Sequence, residues 1–217
     1  MIKKLSSTLS ENKFFFIGWL LLLIIGGILL LNTEKGEVIL FFNGHRTHPV
    51  NIFFRIVTQL GELIGYLIVM VFVGYHRWRS LWLVPMVGAI VMAGSKILKE
   101  IFQQSRPIAW FREQELFDSL IVVSGEPLLV GASSFPSGHS MSAFALYGLV
   151  AYLMPWKKGF GILMLLMATL IALSRVYLIH HFYMDIYAGA IVGTMIGISV
   201  YLVGTLPRFS SDPELKP

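Results

Sequence analysis

Three short clusters hold side chains suited to binding and attacking a phosphate group. The first is Lys99 with Arg106-Pro107, the second Pro136-Ser137-Gly138-His139, and the third Ser174-Arg175 followed by His181 and Asp185. Arginine offers a planar fork that pairs bidentately with phosphate oxygens, and lysine offers a compact point charge. Lys99 and Arg106 stand seven residues apart, two helical turns, so both face one way if a helix runs through. Pro107 disfavours helical geometry at Arg106, which predicts a helix that ends there. Taken alone, this pair is better read as two interfacial cations snorkelling from a helix end, and Lys96 keeps that reading.

Ser137 fits a helix N-cap with Gly138 just inside. A helix start gathers unpaired N–H groups and the positive dipole end, both suited to phosphate oxygens. Glycine lets the backbone approach closely, and His139 then sits in the first turn beside any anion held there. A plain capping role for Ser137 is compatible with this. In the third cluster, His181 and Asp185 are four residues apart, one face of a helix. Asp185 can fix the imidazole tautomer and leave the other nitrogen free as a nucleophile. His180, five residues from Asp185, would lie about 140° around the helix, so His181 is the better-placed candidate. Arg175 adds a third cation. A purely structural His–Asp pair is the alternative at this point.

The elements that must position these clusters are apolar. Of 217 residues, 56% are hydrophobic and 13% charged, against roughly 45–50% and about 25% in soluble domains. A membrane-spanning helix needs about 20 mostly apolar residues. Six runs approach this, at about 14–31, 56–75, 81–101, 138–154, 159–179 and 186–206. The first follows Lys3, Lys4 and Lys13 but lacks a small-residue cleavage site, so it reads as a retained helix. Glu62 and Gln59, polar residues in the second run, are accounted for by helix-end hydrogen bonds. The net charge of +5 forms no basic stripe interleaved with aromatics, which argues against nucleic acid as a partner. The absence of cysteine excludes disulfides and thiolate chemistry.

Charge counting orients the spans. With the N-terminus cytoplasmic, that side holds Lys3, Lys4, Lys13, Arg77, Arg79, Lys157, Lys158, Arg208 and Lys216. The opposite side keeps Lys35, Arg46, Arg55 and Arg112 in its loops, with Lys96, Lys99, Arg106 and Arg175 at or inside helix ends. A basic pair in every cytoplasmic loop fits the positive-inside rule and puts both termini in the cytoplasm. All three clusters then share the outer face. The outer segments 32–55 and 107–135 are too apolar for free loops and suggest short interfacial helices or lids. The chain reads as one domain over 1–209, with a disordered tail at 210–217.

Lys-x6-Arg-Pro, Pro-Ser-Gly-His and Ser-Arg-x5-His-x3-Asp, in this order, resemble the signatures of the type-2 phosphatidic acid phosphatase superfamily. Every fixed position is present. The resemblance implies an all-α integral membrane bundle of six transmembrane helices with short interfacial helices in the outer loops. It implies that Lys99, Arg106, Arg175, Ser137 and Gly138 hold the phosphate. His181 would be the nucleophile, Asp185 its orienting partner and His139 the general acid and base. It implies a phosphohistidine intermediate, no metal and no cofactor, with a lipid phosphate as substrate and membrane lipids as surroundings.

The same intermediate would equally serve a lipid phosphotransferase. A vanadate-dependent haloperoxidase would use the same pocket, but six apolar spans argue against that soluble class. A transporter or non-catalytic lipid-binding protein is less favoured, because the charges cluster at one surface and not at the midplane. Phosphatidylglycerophosphate, phosphatidic acid, undecaprenyl diphosphate and the phosphates of lipid A all place phosphate at this depth. The short chain looks similar to bacterial members, which suggests a bacterial inner membrane with the site on its outer face. Arg112, Glu113, Glu115 and Asp118 are the expected headgroup-selecting residues.

Overall fold

The computed structural model describes residues 2–154, 158–204 and 206, and all regular structure among them is helical. The expected tail at 210–217 lies outside these residues, as do Lys157, Arg208 and Lys216 of the charge count. The helices are α1 (Ile2–Glu11), α2 (Lys13–Asn32), α3 (Glu37–Gly44), α4 (His48–Gln59), α5 (Leu63–Arg77), α6 (Leu83–Phe102), α7 (Pro107–Glu113), α8 (Gly138–Leu153), α9 (Lys158–Tyr177) and α10 (Tyr183–Gly204). Short 3-10 turns follow α5 and α7.

Three helices are long and apolar enough to cross a membrane: Lys13–Asn32, Gly159–Tyr177 and Tyr183–Gly204. A fourth span results if α4 and α5, bent by 59°, are taken as one. The expected second span is thus not one straight helix over 56–75. At the break the backbone folds close on itself: a Cβ at Gly65 would stand 1.9 Å from the Leu60 carbonyl oxygen, so only glycine permits that approach. The Leu60 carbonyl instead accepts a hydrogen bond of 3.1 Å from Tyr147. The two long connecting segments do contain short helices, α3 and α4 in one and α7 in the other.

α8 is the axis of the molecule, with every residue from Ser140 to Leu153 buried. A helix apolar on all sides must be enclosed by other helices, and α6, α9 and α10 enclose this one. Its closest partner is α10, whose Gly189, Gly193 and Gly197 form a stripe at four-residue spacing. Cβ atoms there would stand 2.9 Å from the Ser137 carbonyl oxygen, 2.4 Å from that of Met141 and 2.7 Å from that of Ala145. Small residues bring membrane helices into backbone contact in this way, where packing and not the hydrophobic effect holds helices together. α2 lies outside, against α9 and α10, and exposes Ile17, Leu20, Leu21, Ile24, Ile25 and Ile28.

A methyl group at Gly193 must separate α8 from α10. Gly193→Ala is expected to cost about 2–3 kcal/mol, the upper part of the usual overpacking range, read as a lower thermal midpoint in detergent. Gly44→Ala, where a Cβ meets nothing within 4 Å, is the matched control and should leave the midpoint unchanged. Equal midpoints for both variants would show that the α8–α10 contact is not tight.

Candidate functional site

The N-terminus of α8 is built from its own sequence and locked to α10. Ser137 caps the helix, its side chain accepting from the Ser140 N–H at 3.4 Å. The Ser137 N–H donates 3.0 Å to the Asp185 carbonyl, so the cap and the start of α10 are fixed together. Gly138 faces α6: a Cβ there would lie 3.0 Å from Ser95 Oγ and 3.9 Å from Lys99 Nζ. The Lys99 ammonium therefore stands over the first turn of α8.

His181 and Asp185 are brought together, but not on one helical face as their spacing suggested. α9 ends at Tyr177 and α10 begins at Tyr183, so His181 lies in the link, past Ile179 at φ +60°. Asp185 sits in the first turn of α10 and its Oδ2 accepts the Phe182 N–H at 2.9 Å. That capping contact folds the link back and sets His181 Nδ1 3.3 Å from the same oxygen. Ser134 Oγ donates 2.5 Å to this oxygen and lies 3.5 Å from His181 Nδ1. Asp185 is fully buried, and its Oδ1 has no partner among the described residues. His181 Nε2 makes no hydrogen bond among them either. Burial pushes the His181 pKa down to about 4, against the opposing pull of Asp185, so its imidazole is neutral near pH 7.

The three cations converge here. Helix α6 ends at Phe102, earlier than expected, through left-handed Gln103 at φ +43°. Arg106 is extended before Pro107, as its position requires. Its Nη1 donates 3.2 Å to the His180 carbonyl and its Nε 3.2 Å to Ser133 Oγ. Burial lowers the Arg106 pKa and the Asp185 charge raises it; the group stays cationic at neutral pH. Arg175, buried at the end of α9, donates 2.6 Å from Nη1 to Thr58 Oγ1, while its buried Nε has no partner. Buried donors left open in a cationic cluster call for an anion.

His139, in the first turn of α8, holds Glu62 Oε1 at 2.6 Å from Nε2. Glu62 is thus not the helix-end hydrogen-bonding residue expected, since it makes no capping bond to α5. Its signal was present all the same, as an ionisable group in an apolar run is functional by default. Ser134, Ser133 and Thr58 carried no signal in spacing, because they reach the site only through the fold. The 107–135 segment meets the site through Ser133 and Ser134. Arg112 lies over the Phe117 ring at 4.7 Å, and Glu113, Glu115 and Asp118 are exposed. His180 faces Glu126, 3.8 Å from Nε2, and is not part of the Asp185 network. Among the described residues no three His, Asp or Glu side chains form a metal-holding group.

Residues 80–207 match the family model described as PAP2 superfamily. Phosphatidylglycerophosphatase B of Bacillus subtilis is 32% identical over 154 residues, 64% of this chain and 68% of that protein. Lipid phosphate phosphatase 1 of Arabidopsis thaliana is 36% identical over 104 residues, 41% of this chain but 32% of that protein. Of solved structures, Aquifex aeolicus LpxE shares the fold at a TM-score of 0.64 and 23% identity, covering 78% of this chain and 96% of that one. The first transmembrane PAP2 type phosphatidylglycerolphosphate phosphatase from Bacillus subtilis is similar at a TM-score of 0.61 and 25% identity, covering 92% of this chain and 98% of that one.

If the open guanidinium donors receive an anion, inorganic phosphate should bind and Arg106→Met should weaken it. A charge-assisted hydrogen bond predicts a loss of about 10- to 100-fold, measured by titration calorimetry in detergent. Equal affinity in the variant would remove Arg106 from the anion site.

Proposed function

The chain belongs to the PAP2 superfamily, and from that premise we propose the reaction, the residues that carry it and the side of the membrane it faces. The protein is a membrane lipid phosphatase, a hydrolase of phosphoric ester bonds. The finer reading is a phosphohistidine route without a metal. The observation that supports it best is the clamped imidazole. His181 Nδ1 is tied to Asp185 while Nε2 has no hydrogen-bond partner among the described residues, and Arg106 is anchored to the carbonyl of the adjacent His180.

In this reading Lys99, Arg106 and Arg175, with Ser137 and the backbone at Gly138, hold the phosphate oxygens. Nε2 of His181 attacks phosphorus in line. A phosphorus–nitrogen bond forms as the bond to the leaving oxygen breaks. His139 gives its proton to that oxygen, and Glu62 holds the ring in place. His139 then takes a proton from water, whose oxygen attacks phosphorus. The phosphorus–nitrogen bond breaks, inorganic phosphate leaves and His181 returns neutral with Nδ1–H on Asp185. Fixed cations around an anionic transition state in a dry site supply the electrostatic stabilisation, and His139 the acid–base part.

In this reading six helices cross the membrane, α2, α5, α6, α8, α9 and α10, with α4 bent 59° away from α5. Lys99 near the end of α6, Gly138 starting α8, Arg175 near the end of α9 and Asp185 starting α10 then share one end of an alternating bundle. The positive-inside count makes that end the outer one, with both termini cytoplasmic. A bacterial inner membrane agrees with the bacterial sources of the similar solved structures. The substrate class is a phosphorylated membrane lipid. Phosphatidylglycerophosphate leads because of the relatives' names, with phosphatidic acid, undecaprenyl diphosphate and lipid A as competitors.

Purified protein with excess EDTA should release phosphate from at least one of these lipids, and His181→Ala should abolish release. Loss of activity in EDTA would refute the metal-free route; activity surviving in the variant would refute the nucleophile. The lowered His181 pKa sets the sign of a second expectation. A neutral imidazole is required, so kcat/KM falls as pH drops through about 4, not through the ordinary value near 6.5. An acid limb near 6.5 in the pH profile would count against His181 as the group that must be neutral.

A further inference from the structure

A cavity of about 690 Å³ runs between α5, α6 and α8 directly beneath Lys99 and Gly138. Gly88 and Met92 form apolar wall, and Met92 is 73% exposed on the outside of α6, so the cavity reaches the lipid-facing surface. Glu100, Gln103 and Ser133 line it toward the end of α6, and its other polar side chains, apart from Lys99, are Tyr66, Ser95, Lys96 and Ser142. Ser142 Oγ and the Tyr66 hydroxyl share one hydrogen bond of 3.0 Å. Two hydroxyls bring two protons and that bond uses one, so one O–H donor is left over. Ser95 and Lys96 also line the cavity, and neither side chain has a hydrogen-bonding partner among the described residues. The middle of the cavity therefore offers donors, the buried Ser95 hydroxyl and the exposed Lys96 ammonium among them, and a buried donor left unmet is costly.

Position gives these donors a meaning. Tyr66 is four residues beyond Glu62 on α5, and Ser142 three beyond His139 on α8. The Tyr66–Ser142 contact is a second rung between the same two helices, one turn from the Glu62–His139 rung, or about 5 Å. A leaving oxygen at His139 has the next few bonds of its alcohol at the level of Tyr66, Ser142, Ser95 and Lys96. In a diacylglycerol phosphate those bonds lead to two ester carbonyls, which are acceptors without donors. In a polyprenyl diphosphate they lead to a second phosphate, itself an acceptor, and then to bare hydrocarbon; in a dialkyl glycerol phosphate they lead to chains without any carbonyl.

Resting on the phosphatase reading above, we infer that this cavity binds the ester-linked glycerol core of the substrate. Tyr66–Ser142, Ser95 and Lys96 donate to its carbonyl oxygens, which makes diacylglycerol phosphates preferred over phosphorylated lipids that carry no acceptor at this level. A site that offers donors rejects an analogue lacking acceptors, because those donors are then left unpaired.

The test compares kcat/KM for a diacylglycerol 3-phosphate and its dialkyl ether analogue of equal chain length, in the same detergent. The ether keeps the phosphate and the chains but loses both carbonyls. One or two hydrogen bonds to neutral acceptors predict about a five- to tenfold preference for the ester. Tyr66→Phe combined with Ser142→Ala should bring the ratio close to one. The ratio is read within each protein, so a smaller folded fraction scales both rates alike. Tyr66→Phe alone, which keeps the ring, should lower the ratio in the same direction. Equal rates on ester and ether in the unaltered protein would overturn the inference, as would an undiminished ratio in the double variant; either leaves the phosphatase reading standing. No turnover of any phosphorylated lipid would overturn that reading and this inference with it.

Discussion

Backbone contact between α8 and α10 sets the geometry on which the site depends. Gly189, Gly193 and Gly197 bring α10 against the carbonyls of Ser137, Met141 and Ala145. At that separation the Ser137 N–H reaches the Asp185 carbonyl. One contact therefore positions the helix start that carries Gly138 and His139 and the helix start that carries Asp185. Two helix N-termini then meet at one end of the bundle, and their dipoles add where the three cations already stand. Such a concentration of positive character at a buried place is unfavourable without a counter-charge. The carboxylates of Asp185 and Glu62 supply part of it, and a phosphate would supply the rest.

The cations are held in place before any anion arrives. Arg106 is tied to a backbone carbonyl and to Ser133, and Arg175 to Thr58. These bonds use part of each guanidinium and leave further N–H groups open, including the buried Nε of Arg175. Groups fixed in this way would lose little freedom if an anion bound among them. Asp185 is treated alike, with Phe182 N–H, Ser134 and His181 all on one oxygen. Three donors on Oδ2 hold the carboxylate rigid, and a rigid carboxylate holds the imidazole in one tautomer.

Much of the candidate site was legible because its residues sit in three short runs at helix ends. Lys99, Arg106, Ser137, Gly138, His139, Arg175, His181 and Asp185 do converge in space. The His181–Asp185 spacing was read correctly as a pair but for the wrong local reason. A turn closed by the Phe182 N–H does what a helical face was expected to do. Pro107 straightened Arg106 as expected, while the left-handed Gln103 that ends α6 earlier has no signature in residue type. Span counting was less secure. α8 has 16 residues and α6 carries Lys96, Lys99 and Glu100, so neither meets the length and apolarity that α2, α9 and α10 meet.

Glu62 shows what a local pattern cannot carry. In a straight helix over 56–75 it would have been a carboxylate buried in hydrocarbon, with a helix-end hydrogen bond as its one local remedy. The chain solves the problem by breaking the helix. Gly65 allows the Leu60 carbonyl to swing close, Tyr147 satisfies that carbonyl, and the 59° bend turns residue 62 toward α8. Glu62 thereby leaves the span and meets His139, while Tyr66, one turn along, meets Ser142. A glycine three residues past the carboxylate thus permits the bend beside which both rungs between α5 and α8 form. It was recognisable in the sequence only as one small residue among many in an apolar run.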